Sequence, residues 1–348
     1  MKDILSVLGE FGALYVSDRS NRRYFSKTDI LDGIVIVFDK IYYFIDARYY
    51  YGVKEKLINL NVVPVLYNGK ESLQEFIAKH SISSLYVDYD TVTLTEYNGL
   101  KEICKDIKDG TKLLKNLRSV KNEYEIGSIQ KACDITIKAY YEGIKKAKEG
   151  ITEKQLRDII DNLMLSYGAE EIAFSTIVAF GENSAVPHHV TSDRALKRGD
   201  VILIDMGCKI NGYCSDLTRT AFYGTPTIEF IDCYNAVLKA NLLAEEMIAG
   251  DMSCRLADQI ARNYLADLNL EKHFTHSLGH GVGLDIHESP VLSFRSSETL
   301  LENTVFTVEP GIYMPGKFGI RIEDTVIIKN GKVKRFYFDD KGLNILTK

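Results

Sequence analysis

The C-terminal part of this chain repeats one order of elements, a pair of helices followed by β-rich segments, and this repeat limits the fold more than any other feature. Apolar residues recur at helical spacing from Ile126 to Ile144, and Thr152 and Gln155 form a capping box for the next helix. The predicted elements are a helix ending by Gly150, a helix towards Gly168, strands at about 171–222, a helix from Thr225-Pro226 to about Gly250, a helix at about 254–268, and strands and loops at 275–338. This order predicts a duplicated α+β core with a cleft between its halves.

The N-terminal part alternates β-rich and helical segments, which predicts a separate and smaller α/β domain. The segments rich in Val, Ile and Tyr that predict strands are GALYVSD, GIVIVFDKIYYFIDARYY, VVPVLY and SSLYVDYD, and SLQEFIAKHS is helix-like. A polar segment, KDIKDGTKLLKNLRSVKNE, follows at about 105–123 and marks the domain boundary. A chain of 348 residues is long for one core, so we predict two domains, at residues 1–113 and 114–348.

The composition is that of an ordinary globular protein and argues against several classes of function. The formal net charge is -5 and no Lys/Arg block is present to bind phosphates, which argues against a nucleic-acid partner. No apolar run approaches the roughly 18 residues that span a bilayer, and the first residues lack the layout of a signal peptide. We therefore expect a soluble, cytoplasmic protein that binds neither nucleic acid nor membranes.

The six cysteines have no CxxC motif and no regular spacing. A disulfide scaffold is not expected in a chain of this size without a secretion signal, so buried and reduced thiols are predicted. Cys208 and Cys214 lie near each other across a predicted hairpin, but two isolated thiols do not make a zinc site.

The segment VILIDMGCKINGYCSDLTRTAF, residues 201–222, predicts a β-hairpin that carries two aspartates. Asn211-Gly212 is a strong signal for a two-residue turn, and that turn places Asp205 opposite Thr218. Asp216 then lies two residues from Thr218 on the same face, within reach of Asp205. Two carboxylates in an apolar sheet repel each other unless a cation lies between them. The pattern alone leaves open that the hairpin faces outward and that both aspartates are solvated.

Two glutamates near the C-terminal end add to this unusual group of carboxylates. FTVEPGIYM and GIRIEDTVII place Glu309 and Glu323 in otherwise apolar strands, where carboxylates are disfavoured. Arg321 precedes Glu323 by two residues and is expected on the same face. With one of the chain's histidines added, the set becomes four carboxylates and one imidazole. Such a set suits Mn²⁺, Co²⁺ or Fe²⁺, and also Zn²⁺. Four carboxylates are too many ligands for one catalytic ion, but they fit two ions about 3.5 Å apart.

Several segments, in this order, resemble the pita-bread metallopeptidases, specifically their Xaa-Pro aminopeptidase and Xaa-Pro dipeptidase (prolidase) branch. FIDARYY resembles the creatinase-like N-terminal domain of that family. The segments that resemble its catalytic domain are NSAVPHH, TSDRALKRGDVILIDMG, GYCSDLTRT, HSLGHGVGLDIHESP, VEPGIY and GIRIED. The implied fold is a smaller α/β creatinase-like domain followed by a pita-bread domain, in which helix pairs and a curved antiparallel sheet are duplicated.

The resemblance implies an activity and a set of metal ligands. Asp205 would bind one ion, His280 and Glu309 the other, and Asp216 and Glu323 would bridge both. The cofactors would be two divalent ions, with Mn²⁺ expected first and Co²⁺, Zn²⁺ or Fe²⁺ as alternatives. The implied reaction is hydrolysis of the bond between an N-terminal residue and proline in short peptides. A homodimer is implied as well.

The resemblance also implies catalytic roles for residues around these ligands. His188, His276 and His287 would line the substrate pocket and hold the scissile carbonyl or its developing charge. Glu309 would move a proton to the leaving nitrogen. Arg321 could position a bridging carboxylate or pair with a surface acid. From the residues alone, the three histidines could instead be packed polar residues. Glycines at 279, 281 and 283 are expected to let the backbone approach closely around His280.

Three other functions are considered. A methionine aminopeptidase would share the five ligands, although it normally needs no separate N-terminal domain. A non-catalytic peptide-binding module could keep the fold, although binding alone does not demand all five ligands. A Ser–His–Asp hydrolase is disfavoured because the chain has no Gly-x-Ser-x-Gly segment.

Overall fold

The computed structural model describes residues 2–347. Contacts between Cα atoms divide the chain into two compact units, Met1–Arg118 and Ser119–Lys348. The division falls inside the polar segment at 105–123, five residues after the boundary placed between residues 113 and 114. No helix in the described part of the chain combines the length and the apolar character needed to cross a membrane.

The first unit contains six helices and six strands within the described residues. The helices are α1 (Lys2–Leu8), α2 (Arg19–Ser26), α3 (Ala47–Asn59), α4 (Lys70–Lys79), α5 (Leu94–Ile103) and α6 (Thr111–Ser119). The strands are β1 (Gly12–Val16), β2 (Ile34–Val37), β3 (Ile41–Ile45), β4 (Val62–Leu66), β5 (Ser84–Val87) and β6 (Asp106–Asp109). They form one sheet in the order β4-β3-β2-β1-β5-β6, antiparallel at β1–β2 and β2–β3 and parallel elsewhere.

Side chains on the two faces of this sheet pack into two separate apolar cores. Ile34 and Ile36 of β2 belong to one core, and Val35 and Val37 belong to the other. Because successive strand residues point to opposite faces, a sheet covered by helices on both sides needs apolar residues at every position. The predicted α/β domain is therefore confirmed.

One prediction for the first unit is wrong in detail. ARYY, predicted as strand, begins helix α3, because the Asp46 side chain accepts a hydrogen bond from Arg48 N and caps the helix. The polar segment at 105–123, which was predicted to mark the domain boundary, contains β6 and α6. Strand β6 lies at the sheet edge, pairs only with β5, and exposes its polar side chains.

The second unit contains two pairs of long helices, as the repeat predicts. The pairs are α7 (Glu123–Ile144) with α8 (Glu153–Ser166), and α9 (Ile228–Met247) with α10 (Cys254–Asp267). The capping box of α8 is present, with Thr152 and Gln155 bonding reciprocally. Helix α9 begins later than predicted, because Thr227 rather than Thr225 accepts the capping hydrogen bond from Phe230 N.

The strands of the second unit form four sheets. They are β7 (Glu171–Ile172), β8 (Ile177–Phe180), β9 (Val201–Met206), β10 (Cys208–Ile210), β11 (Tyr213–Cys214), β12 (Leu217–Tyr223), β13 (Gly279–Gly281), β14 (Glu288–Leu292), β15 (Val305–Val308), β16 (Gly311–Met314), β17 (Phe318–Arg321), β18 (Asp324–Lys329), β19 (Lys332–Arg335) and β20 (Asn344–Leu346). The sheet orders are β11-β10-β7, β20-β12-β9-β8, β14-β13-β15-β18-β19 and β16-β17. Among the described strands of this second unit, β12–β20 is the one parallel pair. The predicted strand region at 171–222 is interrupted by a 3₁₀ turn, Gly181–Ala185, and an irregular segment up to β9.

The predicted hairpin register is confirmed. Asp205 pairs with Thr218 across β9 and β12, and Asn211-Gly212 makes the turn with positive φ at both residues. The hairpin does not face outward, because the Asp216 residue is 4% exposed and β12 is buried along its whole length. This register brings both aspartates to the interior of the unit.

Candidate metal centre and active site

The candidate ligands stand mostly where strands end. Asp205 lies inside β9 and His280 inside the short strand β13. Asp216 immediately precedes β12, Glu309 follows β15, and Glu323 precedes β18. The two glutamates are therefore at strand junctions, not in strand interiors as predicted. A junction frees the backbone from regular pairing, so the side chain can turn towards a shared centre.

These side chains meet in the second unit. One ligand atom from each of Asp216, His280 and Glu323 lies within 4.8 Å of the others. His280 Nε2 is 3.3 Å from Glu309 Oε1 and 3.6 Å from Asp216 Oδ2. Asp205 contributes a carboxylate whose Oδ1 atom is buried without a hydrogen-bond partner in the described structure. An orphaned buried carboxylate oxygen is costly unless a cation binds it.

Burial makes this cluster electrostatically unfavourable without a cation. Burial and the repulsion of neighbouring carboxylates raise the pKa of Asp216 and of Glu323 well above their usual values. Burial also raises the pKa of Glu309 to about 8. Divalent ions would remove the repulsion and keep the carboxylates ionised near neutral pH. The residues therefore fit a centre that binds divalent metal ions.

The imidazole of His280 is held in the form that binds metal. Its Nδ1 atom lies 3.1 Å from the carbonyl oxygen of Gly281, which can only accept, so Nδ1 carries the proton. The Nε2 lone pair then faces the carboxylates. Burial, followed by the nearby His287, lowers the pKa of His280 to about 3, which keeps the ring neutral. A neutral imidazole with its free nitrogen towards carboxylates is in the form that can bind a metal ion.

Two threonines orient the carboxylates. Thr218 Oγ1 donates to Glu323 Oε2 at 2.6 Å. Thr307 Oγ1 donates to Glu309 Oε1 at 3.1 Å and accepts from His280 N at 3.0 Å. Such supporting hydrogen bonds fix ligand orientation and are a usual part of metal sites. Neither threonine was predicted from the sequence, although Thr218 follows from the hairpin register opposite Asp205.

Arg321 is buried and binds Asp205. Its Nη2 atom is 2.6 Å from Asp205 Oδ2, Nε donates to Thr218 Oγ1 at 3.0 Å, and Nη1 donates to Tyr313 Oη at 2.7 Å. The alternative that Arg321 pairs with a surface acid is wrong, since Arg321 is 4% exposed. The guanidinium fixes Asp205 Oδ2, whereas Oδ1 has no hydrogen-bond partner within residues 2–347.

Sequence reasoning missed Tyr313. Its hydroxyl accepts from Arg321 and lies 2.9 Å from His276 Nε2. The signal was the pairing of GIYM with FGIR, because Gly311 opposite Arg321 makes Tyr313 a diagonal neighbour of Arg321. Burial raises the pKa of Tyr313 to about 12, so the phenol keeps its proton. The hydroxyl can then donate to His276.

The three predicted histidines, together with Arg321 and Tyr313, line the same cavity as the ligands. The cavity has a volume of about 520 Å³. His287 packs edge-on against His280, with ring centroids 4.3 Å apart. In His276 both ring nitrogens are engaged, by Ser277 O and Tyr313 Oη, and burial lowers its pKa to about 4. The apolar lining consists of Phe174, Ile177, Pro187, Ile286 and Val291.

The glycines around His280 are required by close packing. A Cβ atom on Gly279 would lie 1.9 Å from Thr307 O, and one on Gly281 would lie 2.3 Å from Ser289 O. On Gly283 it would lie 2.3 Å from Glu288 Oε1. The predicted close approach of the backbone is confirmed. These contacts allow β13 to place His280 between its two neighbouring strands.

Metal affinity is expected to fall as the pH falls below about 8. A metal ion that binds a carboxyl group with a raised pKa must displace its proton, so the affinity weakens below that pKa and levels off above it. Each displaced proton changes the affinity by about tenfold per pH unit. Titration calorimetry with Mn²⁺ between pH 6 and 8.5, in buffers of different ionisation enthalpy, measures both the affinity and the protons released. Glu309→Gln should release fewer protons than the unchanged protein. An affinity independent of pH would contradict the expectation.

A buried centre of four carboxylates and one neutral imidazole, beside three further histidines, is typical of metal-dependent enzymes. The chain matches the model of metallopeptidase family M24 over residues 127–330 and that of the Creatinase/Prolidase N-terminal domain over residues 7–120. The chain belongs to metallopeptidase family M24 and is an enzyme.

Individual relatives extend this similarity over the whole length. The chain is 36% identical to the Xaa-Pro dipeptidase of Pyrococcus furiosus over 336 residues, 95% of this chain and 94% of that protein. Its structure is similar to that of an Xaa-Pro dipeptidase from Bacillus anthracis, with a TM-score of 0.94, 31% identity, and coverage of 99% and 98%. It is also similar to an X-Pro aminopeptidase from Thermotoga maritima, with a TM-score of 0.90, 32% identity, and coverage of 99% and 100%. The predicted family and the two-domain pita-bread fold are confirmed.

Proposed function

We propose that this enzyme hydrolyses the bond between an N-terminal residue and proline in short peptides, with two divalent metal ions. The observation that carries the proposal is the meeting of Asp216, His280 and Glu323 within 4.8 Å, inside a cavity that also contains Asp205 and Glu309. The relatives named Xaa-Pro dipeptidase and X-Pro aminopeptidase support proline as the second residue of the substrate.

The proposed ligands are Asp205, Asp216, His280, Glu309 and Glu323. The ions would supply a nucleophilic hydroxide near neutral pH and would polarise the scissile carbonyl. Four of the five ligands are carboxylates, a set that suits Mn²⁺ and accepts Co²⁺, Fe²⁺ or Zn²⁺.

The remaining residues of the cavity have roles that follow from their surroundings. His188 and His287 are proposed to donate hydrogen bonds to the carbonyl oxygen as negative charge develops, since both line the cavity. Glu309 is proposed to pass a proton to the leaving nitrogen of proline, because its carboxylate lines the cavity beside the other proposed ligands, with Oε1 3.3 Å from His280 Nε2.

His276 and Arg321 are proposed to orient other groups, since their side-chain nitrogens already form hydrogen bonds within the protein. Arg321 holds one oxygen of Asp205 and donates to the Tyr313 hydroxyl. That hydroxyl in turn binds His276 Nε2. The chain of contacts connects a proposed metal ligand to a histidine of the cavity wall.

The substrate pocket is proposed to combine polar and apolar sides. The five apolar residues of the cavity can pack against the proline ring, which has no N–H to donate in the bond to be cut. Manganese as the native metal, a homodimer and a cytoplasmic location complete the proposal.

The proposed function predicts release of alanine from Ala-Pro by the Mn²⁺-loaded protein, with no comparable release from Ala-Ala. Free alanine is measured by mass spectrometry, with Ala-Pro-Ala-Ala as a longer substrate in parallel. Preference for the dipeptide would define a dipeptidase, and preference for the tetrapeptide would define an aminopeptidase.

His280→Ala tests the site in the same assay, and His273→Ala serves as its matched control. His280 is a proposed ligand, whereas His273 lies in a short 3₁₀ turn and does not line the cavity. Activity should disappear only in the first variant. Cleavage of Met-Ala in preference to Ala-Pro would favour the methionine aminopeptidase alternative. Metal binding without any cleavage would favour a peptide-binding module.

A further inference from the structure

Glu153, at the start of α8, is a buried carboxylate outside the proposed metal centre. Its side chain is 0% exposed. The sequence assigned Glu153 no role beyond its place inside the capping box. A buried carboxylate needs several donors to remain ionised, and all of its side-chain partners come from one segment of the chain, Phe180–Ser192.

Five hydrogen bonds connect the Glu153 carboxylate to this segment. Oε1 accepts from Phe180 N and Asn183 Nδ2, each at 2.8 Å. Oε2 accepts from Ser192 N at 2.8 Å, from Ser192 Oγ at 2.6 Å, and from His189 Nε2 at 2.8 Å. The partners include both ends of the segment and two residues inside it. One side chain therefore sets the path of an irregular stretch that has little regular structure of its own.

The hydrogen-bond donors around this carboxylate favour its ionised form. Burial opposes its ionisation, but donation by Ser192 and His189 outweighs burial and holds the pKa of Glu153 below its usual value. An ionised carboxylate only accepts, so His189 Nε2 must carry a proton. The backbone of the helix start adds to the connection, since Glu153 N donates to Arg194 O and Lys154 N donates to Ser192 O.

His188 is the residue of this segment that has a proposed chemical role. It lines the cavity together with the metal ligands, whereas its neighbour His189 binds Glu153. Adjacent residues in an irregular segment are coupled through a single peptide unit, so fixing His189 restricts the backbone position of His188. A catalytic group must be held within a fraction of an ångström of its productive position.

We propose that Glu153 is a positioning residue, which holds Phe180–Ser192 so that His188 is presented to the scissile carbonyl. This inference rests on the proposed function for the part that concerns catalysis. None of the five proposed metal ligands is among the hydrogen-bond partners of the Glu153 side chain. We therefore expect Glu153 to act through His188 and not through the metal ions.

A double-mutant cycle tests the proposal in the full-length, Mn²⁺-loaded protein. Glu153→Gln keeps the size of the side chain but replaces one acceptor oxygen by an NH₂ donor. Because the groups around this side chain are themselves donors, the amide loses some of the five hydrogen bonds. The kcat for Ala-Pro should fall about 10- to 100-fold, with KM changing less and with metal content unchanged. In a His188→Ala background the same change should alter kcat by less than about twofold. Equal losses in both backgrounds, or no loss in either, would overturn the proposal.

Lys154→Ala is the matched control. Lys154 connects the same helix start to Asp193, the residue that directly follows the segment, at 2.7 Å, but this ion pair is exposed, with 44% and 79% of the two side chains accessible. An exposed pair contributes little, so kcat should change by less than about twofold. If Glu153→Gln fails to fold, Ser192→Ala removes one of the five bonds, and Ser192→Thr restores the hydroxyl. Ser192→Ala should lower kcat and Ser192→Thr should recover it, and equal activity of the two would contradict the proposal.

A measurement without substrate separates this proposal from the proposed function. The imidazole carbon-bound proton of His188 is assigned by nuclear magnetic resonance from the signal that His188→Ala removes. That signal should shift in Glu153→Gln and stay in place in Lys154→Ala. A shift without Ala-Pro cleavage by the unchanged protein would uphold the positioning role and reject the proposed substrate. Cleavage of Ala-Pro without a shift of the His188 signal would support the proposed function and reject the positioning role of Glu153.

Discussion

Replacing Asp216 by asparagine is expected to lower kcat/KM for Ala-Pro by about 10³-fold or more, which corresponds to about 4 kcal/mol of transition-state stabilisation, and to leave the fold intact. An amide has no negative charge and offers one oxygen only, so it cannot take the place of a carboxylate shared by two ions. The backbone of Asp216 is held independently of its side chain, because Asp216 N donates to Thr325 Oγ1 and Asp216 O accepts from Tyr337 Oη. Activity, metal content by mass spectrometry and far-ultraviolet circular dichroism together measure the effect.

Relative to the unchanged protein, the same variant should be at least as stable without metal and less stable with metal. In the metal-free protein, burial and repulsion by neighbouring carboxylates raise the pKa of Asp216. Asp216→Asn removes this repulsion, so the free energy of unfolding should stay the same or rise. With Mn²⁺ in excess, the unchanged protein gains stability in proportion to its affinity for the ions, and the variant gains less. Asp232→Asn, at an exposed position on α9, is the control and should alter neither quantity. A variant that retains two ions and full activity would reject the proposed role of Asp216.

Replacing Arg219 by methionine is expected to lower the free energy of unfolding by about 3–5 kcal/mol, because it removes the cation that two buried carboxylates share and leaves Asp324 with Lys341 as its remaining cationic partner. Arg219 Nη2 lies 2.7 Å from Asp324 Oδ1 and 2.9 Å from Asp339 Oδ1, and none of the three side chains is more than 4% exposed. Methionine preserves most of the volume, so the loss reports the unpaired charges and not a cavity. Urea unfolding followed by circular dichroism, at a fixed concentration of Mn²⁺, measures the change.

The same substitution should weaken metal binding. Arg219 Nη1 donates to the carbonyl oxygens of Glu323 and Thr218, which fixes the backbone that carries one proposed ligand and the group that orients it. Lys317→Met provides the control, since Lys317 pairs with Glu229 at 2.6 Å on the surface, where both side chains are more than half exposed. The control should lie within about 0.5 kcal/mol of the unchanged protein. A loss below about 1 kcal/mol for Arg219→Met would show that the buried charges are solvated or paired elsewhere.

The sequence predicted those parts of the site that depend on local rules. The Asn211-Gly212 turn sets the register of the hairpin, and the two-residue period of a strand then places Asp205 opposite Thr218. The helix pairs were predictable from their apolar spacing and, in α8, from its capping box. In each case the determining residues are close together in the chain.

The sequence did not predict the features that depend on distant partners. Glu309 and Glu323 were expected inside strands, but the strands end beside them, because Glu309 N donates to Leu278 O and Glu323 N donates to Thr218 O. Pro310 was a local sign of the first break, since proline cannot donate in a sheet. The role of Glu153 could not be predicted either. Its side chain forms five hydrogen bonds with residues of Phe180–Ser192, which follow the end of helix α8 in the chain.

The placement of the ligands has a consequence for biosynthesis. Asp205 and Asp216 belong to the first half of the repeat, whereas His280, Glu309 and Glu323 belong to the second. Neither half holds more than a fragment of the proposed centre, and the last carboxylate is translated long after the first. Under the proposed function, a growing chain therefore has no peptidase activity until both halves have folded against each other. Completion of folding and the onset of hydrolysis then become a single event, and unfinished chains are not a source of premature proteolysis.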